Sequence, residues 1–166
     1  VDRSQHSLDS LQLITLHFDG TMEPRNVDEF KGNLFFAHSG DVVYSKIDVR
    51  NGAIGIVPDE MPTIAVSSEF PVYEVRKEVA IPQYIKLLFR TNYFRKAINS
   101  MISGASGRKR VQPNELEKVN IPLPPIHFQE AIVNHWIQAQ KAIEDSNKNI
   151  EQLKKQTERE LLKSLG

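Results

Sequence analysis

Cysteine is missing from all 166 residues, and disulfides, thiolate zinc sites and cysteine nucleophiles go with it. A reducing compartment fits that absence. No apolar run approaches the roughly 20 residues that a membrane span requires, and Val1-Asp2-Arg3-Ser4 lacks the charged-then-apolar pattern of a secretory leader. The expectation is a cytoplasmic protein with no membrane partner. Net charge is absent too, because 21 Lys/Arg balance 21 Asp/Glu, and a zero total by itself argues against nucleic acid. The total conceals a polarity: residues 1–85 carry 7 Lys/Arg against 13 Asp/Glu, whereas residues 86–118 carry 8 against 2. A neutral chain can therefore hide a basic face.

Catalytic patterns are lacking as well. The five histidines, His6, His17, His38, His127 and His135, never fall at the i, i+4 spacing that sets two ligands on one helical turn. No serine sits in a Gly-x-Ser-x-Gly elbow, and Gly52-Ala53-Ile54-Gly55 is too short to cradle a phosphate alone. A metal-dependent nuclease needs carboxylates and a lysine converging on one magnesium ion. Glu29-Phe30-Lys31 offers a fragment of that set, but Pro58-Asp59 follows it rather than precedes it. No catalytic residue, metal ligand or cofactor is assigned, and an enzyme is not expected.

What is present begins with short β-branched and aromatic runs cut by turn residues: 11–17, 33–37, 42–47, 53–57, 63–67 and 71–75. They predict an antiparallel sheet or small barrel. Asp19-Gly20, Ser39-Gly40 and Asn51-Gly52 supply turns, and Asn51-Gly52 is the strongest hairpin signal, with Lys46 and Arg50 at or near its tip. From Pro82 the period becomes helical through Ile85, Leu88 and Phe89 and again through Ile98, Met101 and Ile102, with Thr91-Asn92 as the break and cap. A Gly/Ser loop, 103–107, then launches Arg108-Lys109-Arg110. Pro113 or Asn114 opens a single helical turn before an extended stretch, 119–123.

The stretch Ile121-Pro122-Leu123-Pro124-Pro125-Ile126 marks a seam, because proline cannot continue a helix and pushes its predecessor towards extended geometry. From Ile126 the pattern predicts one helix of about forty residues that leaves the globular part in a fixed direction. Ile132, Trp136, Ala139, Ile143, Ser146, Ile150, Leu153 and Thr157 alternate steps of four and three, the spacing of a coiled-coil seam, before Leu161 and Leu165 shift the frame. So narrow a stripe calls for a second helix, for which the pairing residues are Ile132, Trp136, Ala139, Ile143, Ile150, Leu153 and Thr157. The expected class is α+β: a β-rich, antiparallel domain with a few helices over residues 1–125, then a long coiled-coil helix over 126–166.

Binding remains as the function. Arg108, Lys109 and Arg110 on a Gly/Ser loop can reach phosphates or guanine edges, Lys46 and Arg50 add a second basic point, and Asn51 and Ser106 add neutral donors. These seven form the candidate DNA-binding set.

Together, Gly40-Asp41-Val42-Val43-Tyr44-Ser45-Lys46-Ile47, Ser103-Gly104-Ala105-Ser106-Gly107-Arg108-Lys109-Arg110 and the proline seam followed by Gln129 resemble the specificity subunits of type I restriction-modification systems. Where that family usually has an acidic pair before the glutamine, this chain has His127-Phe128. The resemblance implies a target recognition domain followed by a spacer helix, a module that reads double-stranded DNA. It further implies partners: a methyltransferase (modification) subunit that carries the S-adenosylmethionine chemistry, through it the restriction/translocase subunit, and a second copy or half-subunit paired along the spacer helix. Methylation within this chain is not expected, since it has neither a glycine-rich cofactor turn nor an Asn/Asp-Pro-Pro-aromatic loop. The alternative is a scaffold that does not bind DNA and works through its coiled-coil helix. A small nuclease, the third reading, would cleave DNA with a divalent metal.

Overall fold

The computed structural model describes residues 11–27, 29–30, 32–100 and 110–165. Seven strands come first: β1 Leu13–Leu16, β2 Met22–Arg25, β3 Leu34–His38, β4 Val42–Tyr44, β5 Ile54–Ile56, β6 Thr63–Ser67 and β7 Val72–Tyr73. They form a four-stranded sheet in the order β2-β1-β6-β3 and a three-stranded sheet in the order β5-β4-β7. Four helices follow, α1 Pro82–Phe89, α2 Asn92–Ser100, α3 Pro113–Leu116 and α4 Ile126–Ser164. The chain divides into two compact units, Val1–Gln129 and Glu130–Gly166.

The class is α+β, rich in antiparallel pairs and with a long C-terminal helix, but one pairing departs from expectation. β1 runs parallel to β6 in the middle of the larger sheet, with Leu13 opposite Ala65 and Ala65 N donating to Gln12 O at 2.9 Å. The cause is topological. The chain between them makes the β3 strand and the whole β4–β5 excursion, so the relative direction of β1 and β6 follows that path and no local turn specifies it. Both faces of these inner strands are covered: Ile14, Leu16, Ile64 and Val66 join the main core with Met22, Ala37 and Val43, while Leu13 and Ala65 join Leu34 on the other side.

Strand β2 was not among the expected runs. Met-Glu-Pro-Arg shows no apolar alternation, only Met22 is buried, and Pro24 has no N–H for a ladder, so the segment is tolerated at a sheet edge. Asn51-Gly52 does not form a two-residue hairpin either. β4 and β5 do pair antiparallel, Val42 to Ile56, but their connection runs 45–53 and contains a 3-10 turn, Val49–Asn51. Val49 is buried and draws the loop inward, and Gly52 closes the turn at φ 105°. The stretch 119–123 forms no strand, since Pro122 and the prolines after it remove ladder donors.

The helices follow their local signals. Pro82 occupies the first position of α1 after an extended Ile81, and Tyr84, Ile85 and Leu88 face inward. Thr91 Oγ1 donates to Leu88 O at 2.7 Å and accepts Phe94 N at 3.2 Å, which ends α1 and caps α2 with one side chain. Glu115 accepts Gln112 N at 2.8 Å and secures the single turn of α3.

Candidate nucleic-acid interface

Tyr44 ends β4 fully buried, stacked on Tyr73 with ring centroids 6.3 Å apart, and donates its hydroxyl to Val111 O at 3.1 Å. Val111 N in turn donates to Lys46 O at 2.8 Å. Val111, just after the basic triplet in sequence, is therefore stitched to the end of β4 and the residues just after it. Lys46 N donates to Glu69 O at 3.0 Å, and Arg110 Nε donates to Glu69 Oε2 at 2.9 Å. Lys46 and Arg110, 64 positions apart in sequence, thus meet around one glutamate. That carboxylate offsets part of the Arg110 charge, and at a half-exposed surface the pair contributes about 0–1 kcal/mol. Ser106, Arg108 and Lys109 lie outside the described residues.

Arg50 and Asn51 belong to a second neighbourhood, the 3-10 turn that α2 packs against. The turn is held by Asp48 N donating to Ser45 Oγ at 3.1 Å and by Ala53 N donating to Asp48 O at 3.1 Å. Asn51 Nδ2 reaches Asp48 Oδ1 at 3.5 Å. Around this turn stand two arginines not singled out in the sequence, Arg90 and Arg95, with Phe18 and Asp19. Arg95 donates to Asn92 Oδ1 at 2.5 Å. Thr21, through N and Oγ1, donates to the Asp19 carboxylate and holds its pKa below the usual value, although the side chain is exposed. Burial lowers the pKa of Arg90, partly offset by the charge of Asp19. No sequence signal marks Arg90, because its partners are backbone carbonyls far away along the chain.

The seam has its own centre at Gln129. Its side chain is completely buried and satisfied on every hydrogen: Oε1 accepts Ile81 N at 3.0 Å, and Nε2 donates to Val79 O at 2.8 Å and Pro124 O at 2.7 Å. The glutamine after the prolines thus joins the first turn of α4 to the chain before α1. Further along α4, Ile132, Trp136, Ile143, Ile150 and Leu153 are exposed, Trp136 at 50% and Ile150 at 48%. Ala139 is partly buried and Thr157 exposed. The two polar members of the stripe are turned back on their own helix, Ser146 Oγ donating to Ala142 O at 2.8 Å and Thr157 Oγ1 to Leu153 O at 2.9 Å. Neither hydroxyl needs a partner from another helix.

Among the described residues, no three His, Asp or Glu side chains converge as a metal site would require, and no helix is long and apolar enough to cross a membrane.

Comparison with known proteins returns a consistent set. The family model described as "Type I restriction modification DNA specificity domain" matches residues 25–157, four-fifths of the chain. The specificity subunit of the type I restriction enzyme EcoAI from Escherichia coli is 30% identical over 143 residues, covering 82% of this chain and 24% of the relative. The chain thus spans about a quarter of the length of the curated relative it matches. The crystal structure of the HsdS subunit from Thermoanaerobacter tengcongensis is similar with a TM-score of 0.56 at 23% identity, over 66% of this chain and 28% of that one. A chain from a structure of a type I R-M system, described for its complex assembly and conformational transition, matches with a TM-score of 0.62 at 20% identity, over 83% of this chain and 36% of that one.

Proposed function

We propose, from the premise that the chain belongs to the type I restriction-modification DNA specificity family, that it is a sequence-reading module which directs a methyltransferase subunit, and through it a restriction/translocase subunit, to a DNA target. Residues 1–125 form the reading domain and residues 126–166 the spacer helix that pairs with a second helix. Transfer of the methyl group takes place in the partner, and the chain acts in the cytoplasm as a specificity subunit rather than as an enzyme. The observation that carries the reading is the match over residues 25–157, which takes in strands β3 to β7, the basic segment, the proline seam and most of α4 together.

The contacts fall into two kinds. Arg108 and Lys109, with Ser106, are assigned to phosphates together with Lys46 and Arg110, which meet at Glu69; Arg50 and Asn51 are assigned to the second neighbourhood. Replacing Arg108, Lys109 and Arg110 together by Ala should flatten the slope of log affinity against log salt by about two to three units, at roughly 0.9 per phosphate released. Arg110→Ala alone should change it least, because Glu69 already compensates that charge. DNA titration of the chain with its methyltransferase at several salt concentrations measures this. A triple variant with the parent's slope and affinity would leave the loop as a solvated surface and favour the scaffold reading, which the exposed stripe of α4 otherwise supports equally well.

A further inference from the structure

Arg90 closes α1, and its guanidinium is used entirely on backbone. Nη1 donates to Phe18 O at 3.0 Å and to Gly52 O at 3.1 Å, and Nη2 donates to Ile54 O. One side chain therefore ties the β1–β2 turn to the loop that leads into β5. Glycines let the two segments touch. A Cβ on Gly52, already at φ 105°, would run into Phe18 O, and a Cβ on Gly55 would run into the carbonyl of Gly20. Two turns more than thirty residues apart are thereby packed backbone to backbone and clamped by a cation.

The clamped turns carry side chains suited to DNA. Phe18 stands at the tip of the first, 58% exposed, while Asp19-Gly20 alone meets the conformational needs of that turn. Arg50 and Asn51 stand on the second. With Arg95 of α2 and Asp19 they line a concavity of about 220 Å³ whose charged side chains, Arg90 included, are three arginines against one aspartate. The aspartate is committed to Thr21. A basic rim around an exposed aromatic ring complements a phosphate-flanked base step better than a protein surface, and apolar rings can contact thymine methyls or wedge between bases.

We propose that Phe18, Arg50, Asn51 and Arg95 form one surface that contacts duplex DNA, and that Arg90 is the positioning residue that holds its two turns in register. The inference rests on the DNA-recognition reading above but does not use the basic loop. Phe18 reads the base step, Arg50 and Arg95 take the flanking phosphates, and Arg90 touches no DNA.

The test selects a target from a random-sequence duplex pool with the chain in complex with its methyltransferase, then measures affinity for that target and for a mixed-sequence duplex. Phe18→Ala should weaken binding to the selected target about tenfold, the loss expected for one base contact, and leave the mixed duplex within about twofold. Because Phe18 is exposed, that variant keeps its fold. Arg90→Gln should lose discrimination in the same pattern and should also speed hydrogen exchange at the Gly20 and Gly52 amides, which Phe18→Ala should not. A Phe18→Ala complex that discriminates as the parent does overturns this surface. A parent complex that selects no sequence at all overturns the DNA-recognition reading, and this inference with it.

Discussion

Gln129 shows what one buried amide can do at a seam. Truncation to Ala would strand Ile81 N, Val79 O and Pro124 O in a buried site. Leaving buried backbone groups unpaired costs about 1–3 kcal/mol, and the emptied volume adds to that. Gln129→Ala should therefore lower stability by about 2–4 kcal/mol in denaturant titration, whereas Ala at the neighbouring, exposed Glu130 should change little. The tyrosines set a limit at high pH. Burial, together with the hydrogen bond to Glu117, pushes Tyr73 from 10.0 up to about 12, and burial raises Tyr44 further. Each favours its neutral form in the fold, so its contribution is intact below pH 10 and is lost as pH rises through the folded value, because the unfolded chain ionises first. Melting temperature should fall from about pH 10 upward, and Tyr73→Phe should make that fall shallower. Sequence alone marked Gln129 as part of a pattern, but its three partners come from both sides of α1 and could not be read from it.

At the scale of elements, periodic segments were legible and irregular ones were not. The helical spacing before Thr91 and the stripe of α4 correspond to α1 and α4. Of the spacing after Thr91 only Ile98 falls in α2, Met101 and Ile102 lying outside the described residues. The matches hold because the burial or hydrogen bonding of these helices is local. β6 matches its run, 63–67, while the run 42–47 shortens to Val42–Tyr44 where Ser45 turns the chain out of the sheet. β2 and the 3-10 turn were missed, since an edge strand with a proline and a loop drawn inward by Val49 depend on neighbours elsewhere. The stripe on α4 makes its own prediction. Ile150 stands exposed between Ile143 and Leu153, so Ile150→Asp would place a charge in any helix-helix seam and should weaken association by several kcal/mol while the head stays folded. Light scattering of parent and variant decides it; a parent that remains monomeric at tens of micromolar with no recruitable partner helix would remove the pairing.

At the scale of the whole molecule, the proposed reading domain and spacer helix lead to a symmetry argument. A second copy paired through α4 would present two identical readers related by a twofold axis, so the methylated target should be a split palindrome with a spacer of constant length. Methylation mapping with the cognate methyltransferase checks this, and an asymmetric target would assign the chain to one half of a longer subunit. The sequence by itself determined the α+β class, the extent of α4 and the family, because each is written in local spacing or in a contiguous motif. Tertiary structure decided the parallel β1–β6 pair, the meeting of Lys46 with Arg110 at Glu69, and the clamp of Arg90 on Phe18, Gly52 and Ile54. The physical reason is the same in all three. Each joins residues separated by tens of positions, and apart from the Arg110–Glu69 ion pair the links run through backbone groups that every residue carries, so side-chain identity along the chain holds little record of the partner.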